Sequence, residues 1–202
     1  MGPAAETLEQ QRNRSVAEQL PKAVQQRRWR LAIALHLRPY DGQPHRCPEE
    51  LYRSQAKSGT THFHAYASCY IVHQGHRYTV ALTRVEKGTA LVAVLQRLLR
   101  GASRAGVRPQ LLLLDRGFYS VAVIRYLQAA RYPFIMPVIG RGRKPTHPQD
   151  PSGTHGFAAQ PHSGWFTYTR TSATKLQATV GLCGHCQHWR GRRRRHGRQP
   201  LS

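Results

Sequence analysis

Four consecutive leucines, Leu111, Leu112, Leu113 and Leu114, run straight into Asp115-Arg116-Gly117-Phe118-Tyr119. A run this apolar, with no polar residue to turn toward water, predicts a short strand covered on both faces. Arg116-Gly117 predicts a turn, and Ser120 an N-cap for a helix running through Tyr126 and Leu127. Strand, turn and helix in that order belong to an α/β fold. The carboxyl ends of the strands are where such folds hold metals and substrates. Asp115 is therefore the first candidate functional residue.

Charge narrows the partners. Lys and Arg number 31 against 9 Asp and Glu, a formal net charge of +22 over 202 residues. Such an imbalance says nothing about fold, but it draws the chain to a polyanion, most simply nucleic acid. Anionic lipid fits less well, because no Lys/Arg helix with a strong apolar face stands out. No run of about eighteen apolar residues predicts a membrane span. The opening Met1-Gly2-Pro3-Ala4-Ala5-Glu6 lacks the pattern of a signal peptide, so a cytoplasmic protein is expected. Cys47, Cys69, Cys183 and Cys186 are too few and too scattered for a disulfide framework.

Along the chain, residues 4–28 read as an N-terminal helical segment that Pro21 interrupts, ending in the basic Arg27-Arg28-Trp29-Arg30. Residues 30–38 read as a strand that ends at Pro39-Tyr40-Asp41-Gly42, and residues 43–60 as a loop. Residues 61–72 and 77–85 are β-branched and aromatic runs joined by His73-Gln74-Gly75-His76, an expected hairpin. A helix over residues 90–99, the leucine strand, the Ser120 helix and a short strand around Phe134 complete a core over residues 30–139. Residues 140–188 read as an irregular, β-rich insertion, with a second hairpin from residues 165–169 and 176–182. Residues 189–202, rich in arginine, are expected to be disordered unless an anion binds them. Three antiparallel strands followed by a β-α-β section give the fold class: α/β, a ribonuclease H-like mixed sheet with a β-rich insertion after the fifth strand.

Three blocks carry a resemblance. Lys57-Ser58-Gly59-Thr60-Thr61-His62-Phe63-His64-Ala65-Tyr66-Ala67, then Arg77-Tyr78-Thr79-Val80-Ala81-Leu82-Thr83-Arg84-Val85, then Leu113-Leu114-Asp115-Arg116-Gly117-Phe118-Tyr119-Ser120 resemble, in that order, the catalytic domain of insertion-sequence transposases of the DDE class. The resemblance covers residues 30–140 well and weakens toward Trp189. It implies DNA transposition by two-metal phosphoryl transfer, with two Asp and one Glu holding two Mg²⁺ ions. One ion activates water or a 3′-hydroxyl, and the other stabilises the leaving oxygen. By the resemblance, Asp115 is the second carboxylate, a catalytic residue and a metal ligand.

The other two acids are missing from their places. The first should lie on the strand over residues 30–38, where the matching position is Ala34. Asp41 comes seven residues later and reads as a turn residue. The third should be a Glu on a helix after the insertion, yet the one acid beyond Asp115 is Asp150, between Gln149 and Pro151 in a loop. The chain reaches its arginine tail before any such helix. The reading is a truncated, degenerate transposase domain that binds DNA, with Mg²⁺ binding and catalysis weak or lost. Arg141, Arg143 and Lys144 in the insertion, and Arg192, Arg193, Arg194 and Arg195 in the tail, are the candidate phosphate contacts, since guanidinium pairs bidentately with phosphate. His62 and His64 share a strand face and are candidates to meet Asp115. The alternative is a basic nucleic-acid-binding protein with a small zinc module at Cys183 and Cys186, where Cys-x-x-Cys stands near His185, His188 and His196.

Overall fold

A computed structural model describes residues 5–43, 50–57, 59–140, 142, 152–158, 162–184, 186–190 and 196–200; residues 5–7, 186–190 and 196–200 are described in backbone alone. The expected first strand is β1, Arg28–Pro39, with Leu31 and Ile33 buried. The long hairpin follows as β3, Thr60–His73, and β4, His76–Val85. The leucine strand is β5, Arg108–Leu114, covered on one face rather than both: Leu112 and Leu114 are buried and Leu113 between them is exposed. The strand at Phe134 is β6, Phe134–Ile135. Residues 43–60 are not all loop: Tyr52–Lys57 forms a further strand, β2. It was hidden because Tyr-Arg-Ser-Gln-Ala-Lys shows no apolar alternation, and an edge strand needs only backbone partners. The insertion therefore follows the sixth strand of the chain.

β1 pairs antiparallel with β3 and parallel with β5, β4 pairs with the far side of β3, and β6 runs parallel to β5. Setting β2 aside, the order is third, second, first, fourth, fifth, as expected for the ribonuclease H-like arrangement. Pro109 lies inside β5 rather than before it. The register shift between Trp29 and Arg30 absorbs the amide hydrogen it lacks.

The helix expected over residues 90–99 is α2, Leu91–Arg104, which buries Val94, Leu95, Leu98, Leu99 and Ala102 on one face. Its end is fixed by Gly106 at φ +76°, where Val107 N–H donates to Ala102 O and Gly106 N–H to Ser103 O. A left-handed residue closing two such bonds stops a helix, and glycine takes that conformation without strain. Gly101 lets α2 approach the sheet. A Cβ there would lie 2.7 Å from the Ala81 Cβ on β4. Gly101→Ala should therefore destabilise the fold by about 1–2 kcal/mol in urea melts, although alanine is the better helix former by about 1 kcal/mol. Adding Ala81→Gly should recover part of that loss; strictly additive effects would dismiss the contact as the cause.

The N-terminal helix α1, Ala5–Glu18, stops short of the expected residue 28, before Pro21. It carries little apolar surface and docks by imitating a strand. Asn13 Nδ2 donates to Leu82 O at 2.9 Å, and Leu82 N–H donates back to Asn13 Oδ1 at 2.8 Å. Glu9 Oε2 accepts from Thr83 Oγ1 at 2.8 Å and from Arg84 N–H at 3.0 Å. These bonds satisfy outward-facing backbone groups of the edge strand β4, which would otherwise invite pairing with another chain.

The chain divides into two compact units, the first running through Phe118 and including Tyr126–Met136, the second formed by Tyr119–Arg125 and residues from Pro137 onward. Helix α3, Val121–Ala129, passes from the second into the first. Ser120 caps it as expected, with Val123 N–H donating to Ser120 Oγ at 3.3 Å. In the second unit the expected hairpin is β7, Gly164–Thr171, and β8, Gln177–Gly184. A short helix α4, Thr154–Ala158, sets Phe157 against the rings of Phe166 and Tyr168. Paired strands β9, Cys186–Arg190, and β10, His196–Pro200, run from the end of the insertion into the tail, whose composition predicts disorder. A ladder uses backbone groups, which an arginine-rich composition leaves intact.

Candidate functional site

Asp115 follows directly on β5. Its N–H donates to Ile33 O at 2.8 Å, and its carbonyl accepts from Phe118 N–H at 3.0 Å. The carboxylate reaches toward β1, with Leu35 N–H donating to Oδ2 at 3.4 Å. The turn after it, the 3₁₀ segment Arg116–Phe118, is held by fully buried Phe118 and packs at Gly117 against Leu35. Three backbone contacts and one buried ring thus fix the carboxylate at the strand end.

Register identifies its neighbour. Ile33 stands beside Leu114, so the next rung of the parallel ladder sets Ala34 beside Asp115. Ile33 and Leu114 are buried, and side chains alternate along a strand, so Ala34 and Asp115 turn to the opposite face. Both are only half-buried there. On its other side Ala34 faces Ser68 of β3, whose hydroxyl lies 2.8 Å from His36 Nε2. Ala34 is thus flanked by Asp115 on one strand, Ser68 on the other, and His36 two residues along its own.

His62 and His64 do not join this group. Their partners are Arg53 and Arg38, and the four residues from His64 to Ser68 span about 13 Å of extended strand. The His64 ring packs edge-on against Tyr40, with centroids 5.2 Å apart. They share a face with the site but sit farther along the strand. The His36–Ser68 pair could have been half found, because His36 follows Ala34 by two. Ser68 could not, because its place depends on how β1 and β3 align.

The carboxylate set does not suit two metal ions. No group of three His, Cys, Asp or Glu side chains able to hold a metal occurs among the described residues. Asp41 is exposed beyond the end of β1, and Asp150 lies outside the described residues. A pair of Mg²⁺ ions about 4 Å apart needs carboxylates from several elements, and the position beside Asp115 offers a methyl group.

Arg141, Arg143, Lys144, Arg192, Arg193, Arg194 and Arg195 also lie outside the described residues. Of the candidate zinc thiols, Cys183 is exposed on β8, while the Cys186 side chain is outside the description. Cys69 is a different kind of thiol. Burial within β3 pushes it up to about 12, which leaves it protonated and inert at neutral pH.

A family model described as the transposase DDE domain matches residues 36–199. The chain belongs to the DDE transposase family. No curated protein sequence and no solved structure matches it significantly. The family match agrees with the mixed α/β sheet and makes this a domain of DNA transposition, in a mobile-element protein. DDE transposases generally use a divalent metal such as Mg²⁺ and act on DNA. No helix among the described residues is long and apolar enough to cross a membrane.

Proposed function

We propose that this transposase domain binds DNA, transposon ends included, and has lost strand cleavage and joining. The observation that carries the reading is Ala34, set by register beside Asp115; by the resemblance, position 34 is that of the family's first aspartate. Asp115 is the remaining catalytic and metal-binding carboxylate, and alone it holds Mg²⁺ weakly. The sheet from β1 through β6 forms the core that positions it, with helix α1 ahead of it in the chain. The insertion over residues 140–188 and the tail over residues 189–202 supply basic contacts to the DNA backbone through Arg141, Arg143, Lys144 and Arg192 to Arg195. Charge supports this part of the reading: 31 basic side chains against 9 acidic ones need counter-ions, and phosphates supply them.

The test is a strand-cleavage assay on transposon-end DNA with Mg²⁺ or Mn²⁺, comparing the wild type with Asp115→Ala. Both should retain the DNA and leave it uncut. Cleavage by the wild type that Asp115→Ala abolishes would show that catalysis survives.

A further inference from the structure

Between α1, the end of β4 and α2 runs an open groove of about 870 Å³. Five arginines line it, Arg14, Arg84, Arg97, Arg100 and Arg104, against the two carboxylates of Glu9 and Glu86. Two of the arginines are engaged. Arg14 Nε bonds Glu18 at 3.0 Å, and Arg84 Nη2 lies 3.0 Å from Glu50 Oε2, in ion-pair range although off hydrogen-bond alignment. Glu9 is spent on Thr83 and the Arg84 backbone. Arg97, Arg100 and Arg104 are exposed, and no carboxylate among the described residues lies within ion-pair distance of them.

Spacings of three and four residues put these three guanidinium groups on one stripe of α2. Like charges at that spacing repel and cost an isolated helix a few tenths of a kcal/mol per pair. An anion laid along the stripe would turn that repulsion into attraction. The seven-residue advance from Arg97 to Arg104 is about 10 Å, close to the axial distance of three successive phosphate-to-phosphate steps along one DNA strand. The groove is open and arginine-rich, as a phosphodiester backbone requires. We propose that the α1–α2 groove is a second nucleic-acid contact surface, gripping backbone phosphates through Arg97, Arg100 and Arg104. Gly101 of α2 packs on Ala81, which shares the face of Cys69 and Ile33. The groove's helix thus lies on the side of the sheet away from Ala34. The DNA segment it holds is then not the one presented to Asp115.

This inference rests on the DNA-binding reading above, and one experiment separates the two. Binding of the full chain to a random-sequence duplex is followed by fluorescence anisotropy from 50 to 200 mM salt. The wild type is compared with Arg97→Gln/Arg100→Gln/Arg104→Gln and with Arg141→Gln/Arg143→Gln/Lys144→Gln. Glutamine keeps the helix, which circular dichroism and the melting temperature would verify. Removing three phosphate contacts should lower the log–log salt slope by about 2.7, so the loss of affinity across that range shrinks about fortyfold. An unchanged slope in the groove variant, with the wild type still binding, overturns the groove and leaves the DNA reading intact. A wild type that does not bind duplex overturns both. Equal binding to phosphatidylserine vesicles, lost equally in the groove variant, overturns the assignment to nucleic acid.

Discussion

Affinity for DNA should fall about a thousandfold between 50 and 200 mM salt, with little regard to sequence. The chain carries +22 formal charges, and the acids described in ion pairs, Glu18 and Glu50, neutralise only two arginines. Each phosphate that an arginine neutralises releases most of a condensed counter-ion. Six contacts therefore give a log–log slope near −5, and a fourfold rise in salt costs about three orders of magnitude. Base-specific readout would add a salt-independent difference between transposon-end and random duplexes. Competition of the two duplexes at each salt concentration measures both quantities. A flat salt profile would remove the basic surface as the source of binding.

How far the sequence foretells this molecule depends on the range over which each signal acts. The leucine run, the turn at Gly117 and the Ser120 cap are local signals and stand in place, but the run is covered on one face only, since Leu112 and Leu114 are buried while Leu113 is exposed. The β3–β4 hairpin was equally legible, since its turn and both its strands are contiguous. β2 escaped notice because its side chains are polar and its partner does the selecting. The docking of α1 was invisible for another reason. Asn13 and Leu82 are 69 residues apart, and an asparagine bonding to a strand edge leaves no periodic trace.

The site divides in the same way. Asp115 is marked by its own neighbours, whereas Ala34 carries no signal of its own. An alanine among Leu31, Ile33 and Leu35 is an ordinary strand residue, and only the resemblance gave it meaning. Parallel pairing of β1 with β5 then puts the two positions side by side. The His36–Ser68 pair needs the register of β1 on β3, which no single segment contains. The arginine stripe on α2 is not legible in the sequence, because the expected helix ends at residue 99 and only the observed extension to Arg104 brings Arg100 and Arg104 into line with Arg97. It became a groove once α1 and β4 supplied the facing walls.

Ala34→Asp should restore part of the metal site without restoring chemistry. The new carboxylate would stand one strand from Asp115 and across from Ser68, in a half-buried position that water and ions can reach. Two like charges so close should destabilise the metal-free protein by about 1–2 kcal/mol and raise the proton affinity of the pair. A divalent cation between them removes that repulsion and gains a second anionic ligand. Mn²⁺ affinity should then rise at least about tenfold over wild type, the scale on which even supporting residues act on metal sites. Titration calorimetry reads the affinity. Melting temperature reads the linkage, since Mn²⁺ at about a hundred times its dissociation constant contributes about 2.7 kcal/mol to a site that exists only when folded. Cleavage of transposon-end DNA should stay at background, because two ions need a further acid beyond Asp115 and the introduced carboxylate. Unchanged Mn²⁺ affinity would mean that position 34 does not face Asp115, and the register argument would fall. Cleavage by Ala34→Asp would mean that Asp41 or Asp150 completes the site, leaving the loss at position 34 as the one lesion.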